Sequence, residues 1–122
     1  MRALVVDDSR AIRLILARML RGLGVEVTEA ADGASALEAV DNGLAVDLML
    51  VDWNMPVLSG IELIEALRRP PRSSTAKIVM VTTETEVPQV IRALSAGADE
   101  YVMKPFTQEA IIDKLRLLGF EF

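Results

Sequence analysis

The segment Leu48-Met49-Leu50-Val51-Asp52 constrains this chain more than any other. Four apolar residues follow one another without a polar interruption, and the run stops at a carboxylate. A strand with one wet face would alternate. An unbroken run means burial on both faces, as in a parallel sheet covered by helices. Asp52 therefore falls at the carboxyl end of a central strand, the edge where open α/β sheets gather ligands and chemistry.

The same signature recurs along the chain. Ala3-Leu4-Val5-Val6 ends in Asp7-Asp8, and Ile78-Val79-Met80-Val81 ends in Thr82-Thr83. Glu100-Tyr101-Val102-Met103 ends in Lys104-Pro105. Val25 to Ala30 alternates instead, which predicts a half-exposed strand at a sheet edge. Helical spacing fills the intervals. Ser9 caps a first helix whose apolar face is Ile12, Ile15, Leu16, Met19, Leu20 and Leu23, with Arg10, Arg13, Arg18 and Arg21 as its solvated face. After the Asp32-Gly33 turn a second helix spans Ala34 to Val40, and Gly60 opens a third with Ile61, Ile64 and Leu67 on one side. A fourth tolerates Pro88 in its first turn, and Thr107 caps a fifth that runs to about Leu118. Strict alternation of five strands and five helices defines an α/β fold, a doubly wound five-stranded parallel sheet.

Composition narrows the chemistry. A length of 122 residues is one domain's worth, so residues 1–122 are expected to form a single unit. A net charge of −5 argues against nucleic acid as a direct partner, and no apolar run approaches the ~20 residues of a membrane span. Met1-Arg2 leads straight into the first strand, so no signal peptide is expected and a cytoplasmic location fits. With no cysteine and no histidine, thiolate chemistry, imidazole bases and imidazole metal ligands are excluded. Carboxylate, hydroxyl, lysine and a hard metal are left.

In a parallel sheet Asp7-Asp8, Asp52, Thr82 and Lys104 share one edge. Clustered carboxylates repel and raise one another's pKa unless a cation sits among them. Oxygen ligands favour Mg²⁺ over zinc, and an ammonium and a hydroxyl opposite suit a phosphoryl group. Each residue has a blander role when taken alone. Asp8 and Thr82 could be helix-entry caps, and Tyr101 could be packing.

Their order and spacing, with the segment Asp52-Trp53-Asn54-Met55-Pro56, resemble the receiver domain of two-component response regulators, the single-domain chemotaxis regulators of the CheY type among them. The resemblance covers the whole chain and implies the strand order 2-1-3-4-5. It implies that Asp52 accepts a phosphoryl group from a sensor histidine kinase. Asp8, Asp52 and the Asn54 backbone carbonyl would hold Mg²⁺, with Asp7 acting through a bound water. Lys104 would pair with a phosphoryl oxygen, and Thr82 would report the modification to Tyr101. The Lys104-Pro105 bond is expected to be cis. A downstream protein would dock on the helix 4–strand 5–helix 5 face, around Arg92, Glu100, Tyr101 and Lys114. Asn54 and Glu84 would flank the path of the hydrolytic water and tune dephosphorylation toward a short-lived mark. Thr83 departs from the family pattern, which favours Ala or Gly there; a branched side chain would narrow access for the phosphoryl group.

Other functions are open at this level. A phosphatase of the haloacid dehalogenase type would want a second acid where Asn54 stands, and a flavodoxin-type binder would want a phosphate-cradling loop where Asp7-Asp8 stand. A docking-only pseudo-receiver would be expected to lack one of the key residues. Within the receiver reading the expectation is no enzyme beyond self-modification, and no direct contact with nucleic acid. The protein would be a monomer or a weak phosphorylation-dependent dimer. With no output domain following, it would act by docking. A flagellar motor target, a phosphorelay role and a non-chemotactic regulator are the candidate outputs. Phe120 and Phe122 are unusually apolar for a tail.

Overall fold

A computed structural model describes residues 1–83 and 87–122. Five strands, β1 (Arg2–Val6), β2 (Glu26–Ala30), β3 (Leu48–Asp52), β4 (Lys77–Thr82) and β5 (Glu100–Met103), alternate with five helices. These are α1 (Arg10–Gly22), α2 (Gly33–Asp41), α3 (Gly60–Arg68), α4 (Val87–Ala96) and α5 (Gln108–Leu117). Every pairing is parallel and the order is β2-β1-β3-β4-β5. The expected fold and strand order are both observed.

Successive side chains of a strand point to opposite faces, and here each face has its own core. Ala3, Val5, Leu48, Leu50, Val79 and Val81 meet Leu16 and Leu20 of α1 and Ile111 and Leu115 of α5. Leu4, Val6, Met49, Val51, Ile78 and Met80 meet Ala36 of α2, Ile61, Ile64 and Leu67 of α3 and Ala93 of α4. Three strands read as continuous apolar runs because every residue serves one core or the other. β2 has a neighbour on one side only, and its burial alternates as its sequence does.

The helices start where side chains serve their first free amides. Ser9 Oγ accepts from Ile12 N at 3.3 Å. Asp32, read from sequence as part of a turn, is the N-cap of α2 and accepts from Ser35 N at 2.7 Å. Ser59 and Glu62 form a reciprocal capping box at α3. Thr107 caps α5 as expected, accepting from Ala110 N at 3.1 Å. Because every pairing is parallel, these four capped β-to-α turns lie on the edge that ends in Asp7, Asp52 and Lys104. The Lys104-Pro105 peptide is cis, as the resemblance implied, and so is Pro70-Pro71.

Two sequence expectations for α1 fail. Ile15, read as part of its apolar face, is 45% exposed, since only the narrower stripe around Leu16 and Leu20 meets the sheet. Arg13 does not lie on the solvated face of α1. Its side chain is 16% exposed and turns inward to β2 and to the end of β1. The periodicity that placed it outside considers only the helix itself, whereas the carbonyl of Asp7 and the carboxylate of Glu29 offer it partners beside the helix.

Candidate functional site

The acidic cluster is built from the ends of two adjacent strands. Asp7 immediately follows β1, and Asp52 is the last residue of β3. Val6 and Val51 are register partners, so the residues that follow them emerge side by side. Asp7 is 1% exposed and Asp52 is 5% exposed, while Asp8 lies in solvent. One carboxylate oxygen from each of Asp7, Asp8 and Asp52 falls within 4.8 Å of the others.

Lys104, just past β5, reaches into this cluster. Its Nζ lies 3.0 Å from Asp52 Oδ1 and 3.3 Å from Asp7 Oδ2. Asp7 is held further by the amide of Ser9, which donates to Oδ1 at 2.8 Å. Burial pushes the Asp52 carboxyl up to about 6, against the hydrogen bond from Lys104 and with the charge of Asp7 adding to the rise. For Lys104 burial favours the neutral form, but the hydrogen bond and charge of Asp52 and the charge of Asp7 outweigh it and hold the ammonium above its ordinary value. The two shifts fit one picture. A single ammonium serves two buried carboxylates, so it is over-satisfied and they are not. Three ionised carboxylates and one ammonium leave a net charge of −2, −3 offset by +1. That charge and an all-oxygen donor set fit a hard divalent cation such as Mg²⁺.

Thr82 ends β4 beside this cluster and is 2% exposed. Its carbonyl accepts from the amide of Lys104 at 2.8 Å, and the Val81 carbonyl accepts from Trp53 N at 3.2 Å. The ends of β3, β4 and β5 are thus stitched across the site by main-chain bonds. Asn54 and Thr83 are both exposed at this edge. Glu84 lies outside the described residues. Tyr101 is half-buried against the helix 2–4 core, with the Lys114 ammonium 4.9 Å above its ring and Glu100 accepting from the same ammonium at 3.0 Å. Tyr101, Met103, Phe106 and Lys114 help line a recess of about 380 Å³ between β5 and α5. Arg92 lines a different groove, with Glu65 and Arg69 of the α3 end.

Sequence reasoning missed Gly60. A Cβ there would collide with the carbonyl oxygen of Asp52 and stand 3.0 Å from the Cα of Trp53. The Gly60 amide donates to the Trp53 carbonyl at 2.9 Å. The start of α3 therefore presses directly on the main chain that carries Asp52. The glycine beside a cap serine was readable as a helix start, but not as a close approach.

The fold and the site together define a receiver domain. The chain belongs to the response regulator receiver domain family, whose model matches residues 3–116. Among characterised proteins it is similar to the chemotaxis protein CheY1 of Helicobacter pylori, 40% identical over 119 residues, covering 97% of this chain and 96% of that protein. The chemotaxis protein CheY of Pseudomonas aeruginosa is 40% identical over 116 residues, covering 94% of this chain and 93% of that one. Among solved structures it is similar to the chemotaxis response regulator CheY4 of Vibrio cholerae, with a TM-score of 0.87 and 35% identity over 96% of this chain and 97% of that one. It is a CheY-type receiver domain of two-component signalling. Among the described residues no helix is long and apolar enough to cross a membrane.

Proposed function

We propose that the chain is a Mg²⁺-dependent phospho-acceptor. In this reading Asp52 takes a phosphoryl group from a phosphohistidine of a sensor histidine kinase. The observation that carries the proposal is the cluster of Asp7, Asp8 and Asp52 within 4.8 Å, with Lys104 drawn onto it at 3.0 and 3.3 Å. Residues 1–122 act as one receiver unit in the cytoplasm, with no catalytic turnover beyond their own modification.

An oxygen of Asp52 forms the new O–P bond while the P–N bond to the donor imidazole breaks, and the electron pair leaves on the imidazole nitrogen. Asp8, Asp52 and the Asn54 carbonyl would hold Mg²⁺, with Asp7 in support through water. The bound metal would offset charge on the phosphoryl oxygens. Asp52 has to be ionised to attack, and Lys104 supports that form. Lys104 then follows the charge from the carboxylate to a phosphoryl oxygen, and Thr82 hydrogen-bonds another. The phosphoryl group acts as a switch only through better contacts in one conformation than in the other. Tyr101 and the α4–β5–α5 face would carry that difference to a downstream protein. The names of the relatives point to chemotaxis, and in this reading the flagellar motor is the downstream target. Asn54 and Glu84 would set a short lifetime for the mark, and the exposed Thr83 would tune entry of the donor.

Trp53 directly follows Asp52 and is 8% exposed, so its fluorescence reports the site. Mg²⁺ and then acetyl phosphate are titrated in the parent and in Asp52→Asn. Saturable responses to both in the parent, with the second lost in Asp52→Asn, are expected. A parent that binds neither and gains no phosphoryl mass overturns the proposal.

A further inference from the structure

We infer that Arg13 is a positioning residue for the acidic cluster and that it sets Mg²⁺ affinity through the Asp7–Asp8 peptide. This rests on the metal-binding reading above. Neither the spacing of the carboxylates nor their charge requires an arginine on α1, yet one is built into their main-chain support.

The geometry starts where the β-ladder ends. Asp7 lies one residue beyond β1, so its carbonyl falls past the last register pair of the β1–β2 ladder. Its amide still finds the Ala30 carbonyl of β2 at 3.2 Å. Its carbonyl, which belongs to the peptide joining Asp7 to Asp8, accepts from Arg13 Nη1 at 2.8 Å. Arg13 is itself held, because its Nε donates to Glu29 Oε1 at 3.2 Å and its backbone amide donates to Ser9 O at 2.9 Å. Glu29 is the neighbour of Ala30 on β2. Both sides of Asp7 are therefore tied to the same stretch of β2, one directly and one through the guanidinium.

A guanidinium can do this because its fork is planar and donates in two directions at once. Fixing the Asp7–Asp8 peptide plane fixes the backbone from which the exposed Asp8 projects. Asp8 lacks the burial that confines Asp7 and Asp52, so its place in the cluster depends on that plane. Groups that orient metal ligands from behind typically change affinity by about 10- to 100-fold when removed.

The sign of the effect separates positioning from charge. Arg13 carries a positive charge close to a cation site. On electrostatics alone, removing it should tighten Mg²⁺ binding. Positioning predicts the reverse, a constant weaker by about tenfold.

The test measures Mg²⁺ dissociation constants by calorimetry and by Trp53 fluorescence in the parent, Arg13→Met and Arg13→Lys, with melting temperatures recorded in the absence of the metal. Weaker binding in Arg13→Met is expected. Arg13→Lys, which keeps the charge but not the fork, should recover only part of the loss. Unchanged or tighter binding in Arg13→Met, whatever its melting temperature, overturns the inference and leaves Arg13 a tie between α1 and β2. Full recovery by Arg13→Lys overturns the two-directional tie to Asp7 and Glu29, since a single donor to the Asp7 carbonyl would then suffice. Should Arg13→Met fail to fold, Arg13→Gln answers the same question by the same sign. A parent that does not bind Mg²⁺ overturns the metal reading and this inference with it. A parent that binds, beside an Arg13→Met that binds equally, overturns this inference alone.

Discussion

The two edges of the sheet handle partly or fully buried charge in opposite ways. At the amino-terminal edge one arginine is fully matched. Arg68, at the end of α3, donates to the carbonyls of Ser74, Ala76 and Gly97 at 2.7–3.0 Å and to the Asp99 carboxylate at 2.8 Å. Asp99 in turn accepts from Ile78 N at 2.8 Å. At the carboxyl-terminal edge three carboxylates share one ammonium, and one of them is pushed up to about 6 by its burial. The first edge uses its charge to join α3, β4 and the turn before β5. The second holds an excess of negative charge that destabilises the metal-free fold and that a cation or a proton would relieve. The matched clamp and the candidate site thus lie at opposite ends of the strands.

Breaking the matched edge should have the largest effect. Arg68→Met leaves three carbonyls and a carboxylate without their shared donor, and the arginine side chain is only 23% exposed. The expected loss is about 2–3 kcal/mol in urea unfolding, since each polar group left unmatched costs on the order of 1 kcal/mol or more. A loss below about 0.5 kcal/mol, the range of ordinary surface changes, would show that water replaces the clamp without penalty.

The strained edge should respond with the opposite sign. Asp52→Asn removes the charge that burial and Asp7 disfavour, and we expect it to stabilise the metal-free protein at pH 7 by about 1–2 kcal/mol, less than the ~3 kcal/mol that a rise of about two units corresponds to at ~1.4 kcal/mol per unit, because the neutral amide is a weaker partner for Lys104. The pH dependence follows from the raised folded pKa. The folded state holds the Asp52 proton more tightly than the unfolded chain, so this contribution is fully present below the ordinary value of 3.8 and is lost as pH rises through about 6. Asp32, Asp41 and Glu62 are shifted down by their hydrogen bonds and titrate with the opposite sign. The informative quantity is therefore the difference between parent and Asp52→Asn across pH 4–7. It should grow with pH without Mg²⁺ and should shrink when Mg²⁺ is added.

Much of this contrast was legible in the residues, though unevenly. The strand ends were readable because continuous apolar runs stop abruptly at polar residues, and parallel pairing then forces Asp7, Asp52, Thr82 and Lys104 onto one edge. What escaped were residues whose partners lie far away in sequence. Arg68 ends an ordinary amphipathic helix, and nothing local announces that carbonyls from 74, 76 and 97 converge on it. Arg13 was placed in solvent for the same reason. Lys104 was read as a partner for a phosphoryl group, while the structure shows its one ammonium already shared between Asp52 and Asp7. Periodicity records which side of a helix is apolar. It carries no information about which main-chain groups are left over where strands end.

The smallest predicted effect tests whether backbone strain accompanies the electrostatic strain at the functional edge. Val57 follows Pro56 in the loop after β3, with φ at 70° and its side chain wholly exposed. A β-branched residue is disfavoured in the left-handed region, and an exposed one gains no burial in return. Asparagine enters that region far more readily, because its short polar side chain hydrogen-bonds locally. Val57→Asn should therefore stabilise the protein by about 0.5–1 kcal/mol, less than the full penalty because asparagine also has more freedom when unfolded. Neighbouring Leu58 anchors the loop, packing so closely over Gly33 that a Cβ there would stand 2.7 Å from Leu58 Cδ2. The substitution should for that reason leave the position of Asp52 and its Mg²⁺ affinity unchanged. A gain in stability with unaltered affinity would make the strain a local property of the loop. A gain accompanied by weaker Mg²⁺ binding would mean that the strained loop helps to hold Asp52 and Asn54 in place, and that both kinds of strain at this edge serve the same site.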